Sequence, residues 1–206
     1  MRRSLVALVT ALFCALPLFP AQAQEFSEAE VAAIKAAVFD DPASPVMGNP
    51  SGDVTLVEFS DYNCGFCRKA APDVAALLES DPGIKLVVHE IPIFGEGSRY
   101  AAMAALAARN QGKYPEFHRA MMGTKGKAEK ASVLRIARDI GLDVARLERD
   151  MQAPEITAQI EKSLELADQI GLVGTPSFVA GDRAVFGALP REDLAELVAE
   201  ARAAGK

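Results

Sequence analysis

Apolar and polar positions along the chain change their period in an informative order. Residues 54–60, Val54-Thr55-Leu56-Val57-Glu58-Phe59-Ser60, form a short apolar run that reads as a buried strand. An Ala- and Leu-rich stretch, 69–79, follows with the spacing of a helix, and Pro72 within it is expected to kink it. Asp81-Pro82-Gly83 is a turn, and 84–93 reads as a second strand. Strand, helix and strand in that order imply a parallel pair joined by a right-handed crossover.

Helical signals then replace the alternation. Residues 100–110 are Ala-rich and end at Gly112, 115–122 end at Gly123, and 130–140 end at Gly141. Asp143 can cap the next helix, and Pro154 suits the first turn of a long one running to about Gln169. Strand signals resume at 177–180, turn at Gly181-Asp182-Arg183 and return at 184–186. Residues 191–203 close the chain as a helix carrying Leu194, Leu197 and Val198 on one face. Without the helical stretch the order is β-α-β, then β-β-α, which is the thioredoxin core. The predicted class is therefore α/β, a thioredoxin fold with an inserted all-helical subdomain.

Ahead of this core, 26–39 is a short amphipathic helix candidate with Val31, Ile34 and Val38 at helical spacing. Residues 40–52 read as a connector rich in Pro, Gly, Ser and Asp. Residues 1–23 resemble an export leader. Arg2 and Arg3 precede an apolar stretch, 5–18, and Ala21-Gln22-Ala23 supplies small residues for cleavage. A membrane anchor is the alternative, but Pro17 and Pro20 interrupt the run and it is short for a bilayer. The expected division is leader 1–23, helix and connector 24–52, core 53–97, helical subdomain 98–169 and core 170–206.

Charge narrows the partners. The chain carries 22 Lys and Arg against 28 Asp and Glu. Removing Arg2 and Arg3 with the leader takes the net charge from −6 to −8. Such a surface argues against nucleic acid, whose phosphates need positive charge.

Two of the three cysteines stand where the first strand meets its helix, as Cys64-Gly65-Phe66-Cys67; Cys14 lies in the leader. A Cys-x-x-Cys at a strand-to-helix junction is the sequence form of a thiol–disulfide redox centre. Spacing i, i+3 in a first helical turn brings both sulfurs to one face. The helix N-terminus leaves N–H groups free and carries partial positive charge, so a Cys64 thiolate is stabilised there. Cys64 is the expected nucleophile and the more exposed sulfur; Cys67 is expected to resolve the mixed disulfide. A static disulfide closing so short a loop contributes little stability. A zinc site needs two further ligands, for which the mature chain offers only His89 and His118. Transient metal binding by the reduced dithiol stays open.

Glu58, six residues before Cys64, interrupts an apolar strand. Alternation puts it on the face of Leu56 and Ser60, opposite Val57 and Phe59. Under the active-site helix its carboxyl would be desolvated and able to shuttle the Cys67 proton; the alternative is an exposed strand residue. His118 is expected to be a structural residue hydrogen-bonded within the helical segment, and Met121-Met122 to pack in the core.

Over nearly all of the mature length, the chain resembles the DsbA family of exported thiol–disulfide oxidoreductases. The likeness rests on the strand leading into Cys64 and Cys67, the helical insertion, Gly174-Thr175-Pro176 opening a strand, and the closing helix. Glu90-Ile91-Pro92-Ile93, Gly112-Lys113-Tyr114 and Phe117-His118 are similar to the ScsC-like branch. The resemblance implies a cis Pro176 beside the cysteines, with Thr175 offering its backbone to an incoming peptide. It also supports Glu58 as the acid beneath the helix. It implies cysteine-containing exported proteins as substrates, a membrane partner that resets the pair, no dissociable cofactor, and a periplasmic location. Gly65-Phe66 stands where the strongest oxidants carry a histidine, and Thr175 where many members carry Val. Both details are similar to disulfide isomerases. The reading is a monomeric dithiol oxidase, with an isomerase or reductase, or a copper-handling dithiol protein, as alternatives.

Overall fold

The computed structural model describes residues 26–205. The leader and Cys14 lie outside them. Helix α1 spans Glu28–Phe39, and Ser27 and Glu30 close its N-terminus as a reciprocal capping box. Of its expected apolar face, Val38 is buried and Ile34 packs against the sheet, but Val31 is 40% exposed. Ala37 and Phe39 make the contact in its place, because the helix meets the domain only along its last two turns.

The connector contains an edge strand, β1 (Val46–Gly48), antiparallel to a later one. Three residues, from just after Pro45 to the left-handed Gly48, are too few for a period to show. Strand β2 (Val54–Ser60), helix α2 (Gly65–Ser80) and strand β3 (Ile84–Glu90) then form the parallel unit, with Val54 opposite Ile84 and Ser60 opposite Glu90. Pro72 lies inside α2. β3 is shorter than the apolar run suggests. Pro92 has no N–H to give, and the amides of Ile93 and Phe94 turn to the Asp61 carboxylate instead of the ladder.

Five helices separate β3 from the next strand: α3 (Glu96–Arg109), α4 (Tyr114–Met122), α5 (Lys130–Asp139), α6 (Val144–Asp150) and α7 (Pro154–Gln169). Asp143 caps α6 by accepting the Arg146 amide, and Pro154 opens α7, as their positions predict. Met121 and Met122 are core residues. β4 (Ser177–Ala180), β5 (Arg183–Phe186) and α8 (Arg191–Ala204) complete the fold.

The sheet runs β1-β3-β2-β4-β5, with β2 and β3 parallel and the other pairs antiparallel. One face, with Leu56, Leu86, Val88 and Phe178, meets α2, the helical segment and α8. The other, with Val57, Phe59, Val87 and Val179, meets α1 and α7. This is a thioredoxin fold carrying an extra helical segment. Among the described residues, no helix is long and apolar enough to cross a membrane.

Candidate active site

β2 ends at Ser60, and a loop of Asp61, Tyr62 and Asn63 delivers Cys64 to the N-cap of α2. The Cys67 amide donates to Cys64 Sγ at 3.4 Å, so one unpaired N–H of the helix end is aimed at that sulfur. The Cys64 thiol in turn donates to the carbonyl of Thr175 at 3.2 Å. The Thr175–Pro176 bond is cis, and Gly174, Thr175 and Pro176 lead directly into β4. Cys64, Cys67, Thr175 and Pro176 are thus one constellation, and both cysteines are free thiols.

Cys64 is only slightly more exposed than Cys67, 2% against 0%. The Thr175 loop roofs Cys64, so the two sulfurs differ less in exposure than in what they face. Cys64 looks to the loop and its rim. Cys67 looks down to the sheet, where Glu58, Ser60 and the backbone of Asp61 surround it. Burial pushes the Cys67 thiol well up, the Asp61 backbone and Ser60 hydroxyl pull it down, and the Glu58 charge raises it further.

Glu58 shares a sheet face with Leu56, and its carboxyl lies beneath α2 at 2% exposure. Its one hydrogen bond comes from Ser60 Oγ at 2.9 Å. Burial raises its pKa to about 7, with the Ser60 bond opposing. A carboxyl poised there can both give and take a proton at neutral pH.

A family model, DSBA-like thioredoxin domain, matches residues 55–199. The chain belongs to that family.

A thioredoxin-like oxidoreductase from Silicibacter pomeroyi DSS-3 is 54% identical with a TM-score of 0.80, covering 82% of this chain and 98% of that one. The catalytic domain of Proteus mirabilis ScsC is 26% identical with a TM-score of 0.76, covering 84% and 97%. A curated relative is the Na(+)/H(+) antiporter NhaA 3 of Salinispora tropica, 29% identical over 163 residues. This chain spans about a quarter of that protein's length (25%) and 78% of its own. The described DSBA-like domain is an oxidoreductase domain.

Several functional features of this DSBA-like site escaped sequence reasoning. Asp61 is buried, and both its carboxylate oxygens tie the active-site loop to neighbouring segments. Oδ1 accepts the Asn63 amide and the Ser98 hydroxyl, both at 2.7 Å, and Oδ2 accepts the amides of Ile93 (2.7 Å) and Phe94 (3.1 Å). Asn63 reaches across to Ala128, accepting its amide at 2.7 Å and donating to its carbonyl at 3.1 Å. Arg68 Nε donates to the Tyr62 carbonyl at 2.7 Å, and Nη1 reaches the carbonyls of Thr124 and Gly126. The clustering of Asp61, Asn63 and Arg68 around the cysteines was the available signal. His118 keeps its expected contact within the helical segment and gains one outside it. Its Nδ1 contacts Tyr62 of the active-site loop as well as Tyr114 of its own helix, because α4 packs over α2.

Large apolar side chains stand exposed on the segments joined to the cysteines. Phe66 (65% exposed), Ile93 (49%), Phe94 (55%) and Val173 (85%) all belong to segments that meet at Cys64. Their exposure was not legible in sequence, where apolar residues look like core.

Proposed function

We propose that this protein is an exported, periplasmic thiol:disulfide oxidoreductase that oxidises cysteine pairs in incompletely folded exported proteins. The observation that carries the reading is the Cys64 sulfur at the N-cap of α2, 3.2 Å from the Thr175 carbonyl, with exposed apolar side chains on the segments joined to it. An extended peptide can pair with the backbone beside Thr175 while its apolar residues lie on Phe66, Ile93, Phe94 and Val173.

In the oxidised enzyme a substrate thiolate attacks Cys64. The Cys64–Cys67 bond breaks, a substrate–Cys64 disulfide forms, and Cys67 leaves as a thiolate that takes a proton from Glu58. The substrate's second thiolate then attacks its own bridged sulfur and expels Cys64. Two electrons pass to the enzyme, which is left with a Cys67 thiol, a Cys64 thiolate and a Glu58 carboxylate that regains its proton from solvent, where the substrate thiols released theirs. The substrate gains one disulfide, and a membrane partner must reoxidise the pair. The disulfide is the redox carrier, so no dissociable cofactor enters.

In this reading the chain divides into a leader at 1–23 cleaved near Ala23, a helix and connector at 24–52, a core at 53–97 and 170–206, and a helical unit at 98–169. The protein acts as a monomer, since α1 spends Val38 and Ile34 on its own sheet. Gly65-Phe66 and Thr175 favour a second reading, a disulfide isomerase.

The test is a trapping experiment. Cys67→Ser should accumulate mixed disulfides with exported proteins, and Cys64→Ser should not. Equal trapping by both would overturn the assignment. On the same protein, faster oxidation of reduced substrate than rescue of scrambled substrate, with a monomeric mass by light scattering, separates oxidase from isomerase. A multimer that mainly rescues scrambled substrate would establish the second reading.

A further inference from the structure

A further buried acid lies near the active-site loop without a part in the exchange just described. Glu90, the last residue of β3, is 2% exposed and has no ion pair among the described residues. Its Oε1 accepts the hydroxyls of Tyr62 and Tyr114, each at 2.7 Å, while Oε2 has no partner. His118 closes the group, with Nδ1 3.0 Å from the Tyr62 hydroxyl and 3.3 Å from that of Tyr114.

Three connections tie this group to the cysteines. Ser60 pairs with Glu90 across the β2–β3 ladder, and Glu58 lies two positions earlier on the same sheet face. Tyr62 stands two residues before Cys64, and its carbonyl holds the Arg68 guanidinium. His118 and Glu58 line one cavity of about 250 Å³ between α2 and α4.

An ionised, fully buried carboxylate with a bare oxygen and no cation is disfavoured, so the acid form is favoured instead. The hydrogen bonds permit both forms without moving a heavy atom. In the acid, Oε1–H donates to the Tyr62 oxygen and the Tyr62 hydroxyl donates to Nδ1 of His118. In the carboxylate both phenols donate to Oε1, and Nδ1–H of His118 donates to Tyr62.

We propose that Glu90 is a positioning residue of the cysteine centre, a second acid whose proton, held through Tyr62, Tyr114 and His118, sets the charge beneath Cys67. The inference rests on the exchange chemistry proposed above.

The groups facing Glu90 are Glu58 from β2, Asp61 and Tyr62 from the active-site loop, and Tyr114 and His118 from α4, with Arg119 beside His118. Burial raises Glu90 to about 8, the two phenols oppose it, and the charges of Asp61 and Glu58 add to it. Burial and Arg119 push His118 down to about 4, so it stays neutral through the window that matters. With Glu58 at about 7, the two carboxyls ionise one after the other as a coupled pair. Near neutrality Glu58 exchanges protons with Cys67 while Glu90 stays uncharged. At higher pH the Glu90 carboxylate adds a second negative charge, and a Cys67 thiolate becomes harder to form.

The experiment follows the resolving step when the reduced protein reacts with oxidised glutathione, from pH 5.5 to 9.5. The native profile should show two breaks, near the Glu58 and Glu90 values. Glu90→Gln should lose the upper break and keep the lower. Tyr114→Phe should move the upper break to higher pH, because one donor to the carboxylate is gone. Infrared titration of the reduced protein should show a carboxylic-acid band that vanishes through the upper break and is missing in Glu90→Gln. A Glu90→Gln profile that superimposes on the native one, or no acid band lost through the break, would overturn the proposal. If Glu90→Gln does not fold, Tyr114→Phe and the native infrared titration decide the matter. The infrared measurement needs no turnover, so it separates failure of this inference from failure of the exchange reading.

Discussion

A carboxyl in an apolar strand is the residue-scale signature of this site. Glu58 accepts one hydrogen bond, from Ser60 at 2.9 Å, and burial lifts it to about 7. Beside it, burial drives the Cys67 thiol far above its ordinary value, so neither leaving nor attack by that sulfur is easy without a proton partner. Glu58→Gln keeps an oxygen for Ser60 but cannot carry a proton. It should slow the steps that protonate or deprotonate Cys67 by about 100-fold, while the first attack at Cys64 stays near the native rate. Quenched time courses of mixed-disulfide formation and decay measure both. A native decay rate in Glu58→Gln would remove Glu58 from the mechanism. Cys64, Cys67 and Glu58 were legible as candidates in the sequence, because each breaks its local pattern: thiols at a helix start, a charge in an apolar strand. The cis Pro176 beside Cys64, and Thr175 with it, followed only from the family resemblance. Glu90 was legible only as part of a family-like run. Inside an expected strand running to Ile93 nothing sets it apart from its neighbours, and only the fold brings Tyr62, Tyr114 and His118 onto it.

Between elements, the position of the active-site loop depends on Asp61. Its carboxylate joins the loop before α2 to the segment after β3 and to the start of α3 through Ser98. Ile93 and Phe94, two of the four exposed apolar residues, are held by their backbone amides at its Oδ2. Asp61→Ala leaves several buried donors unpaired, and should lower stability by about 3 kcal/mol. Asp61→Asn keeps an acceptor for one pair of donors but turns an NH₂ toward the other. It should raise KM for apolar cysteine peptides severalfold while leaving exchange with dithiothreitol near native. Parallel kinetics on the two substrates check this, and equal loss on both would assign Asp61 to the chemistry rather than to the apolar surface. The long helices of the insertion and the β2–α2–β3 unit could be read from period and capping residues alone. β1 could not, being three residues long, and neither could the true end of β3. That end is set by hydrogen bonds to a carboxylate 32 and 33 residues away in sequence, which no local pattern records.

At the scale of the whole molecule, the buried acids should leave a mark on stability. Glu58 and Glu90 have pKa values raised from 4.5 in the folded chain, to about 7 and about 8. The folded protein therefore holds protons that the unfolded chain releases above about pH 4.5. Their stabilising contribution is fully present below that pH and is lost as pH rises through 7 and 8. Other buried groups act in the opposite sense, but lower on the scale. Burial depresses His89 and His118 from 6.5, so stability gained from keeping them neutral is complete once pH exceeds that value. Asp41 is depressed by the Gln159 and Lys162 contacts that outweigh its burial, and Asp81 by Arg202, so both matter only in acid. Burial raises Cys67 above an ordinary value of 9.0 and Tyr62 and Tyr114 above 10.0, so their effects begin beyond the window. Between pH 6.5 and 8.5 the two glutamates are the shifted groups that change state. The melting temperature of the reduced protein should fall across that interval at fixed ionic strength, by an amount corresponding to a few kcal/mol. Glu58→Gln and Glu90→Gln should each flatten part of the slope, and the double variant should be nearly level. A native melting temperature that stays constant or rises from pH 6.5 to 8.5 would mean that these carboxyls are already ionised in the folded protein.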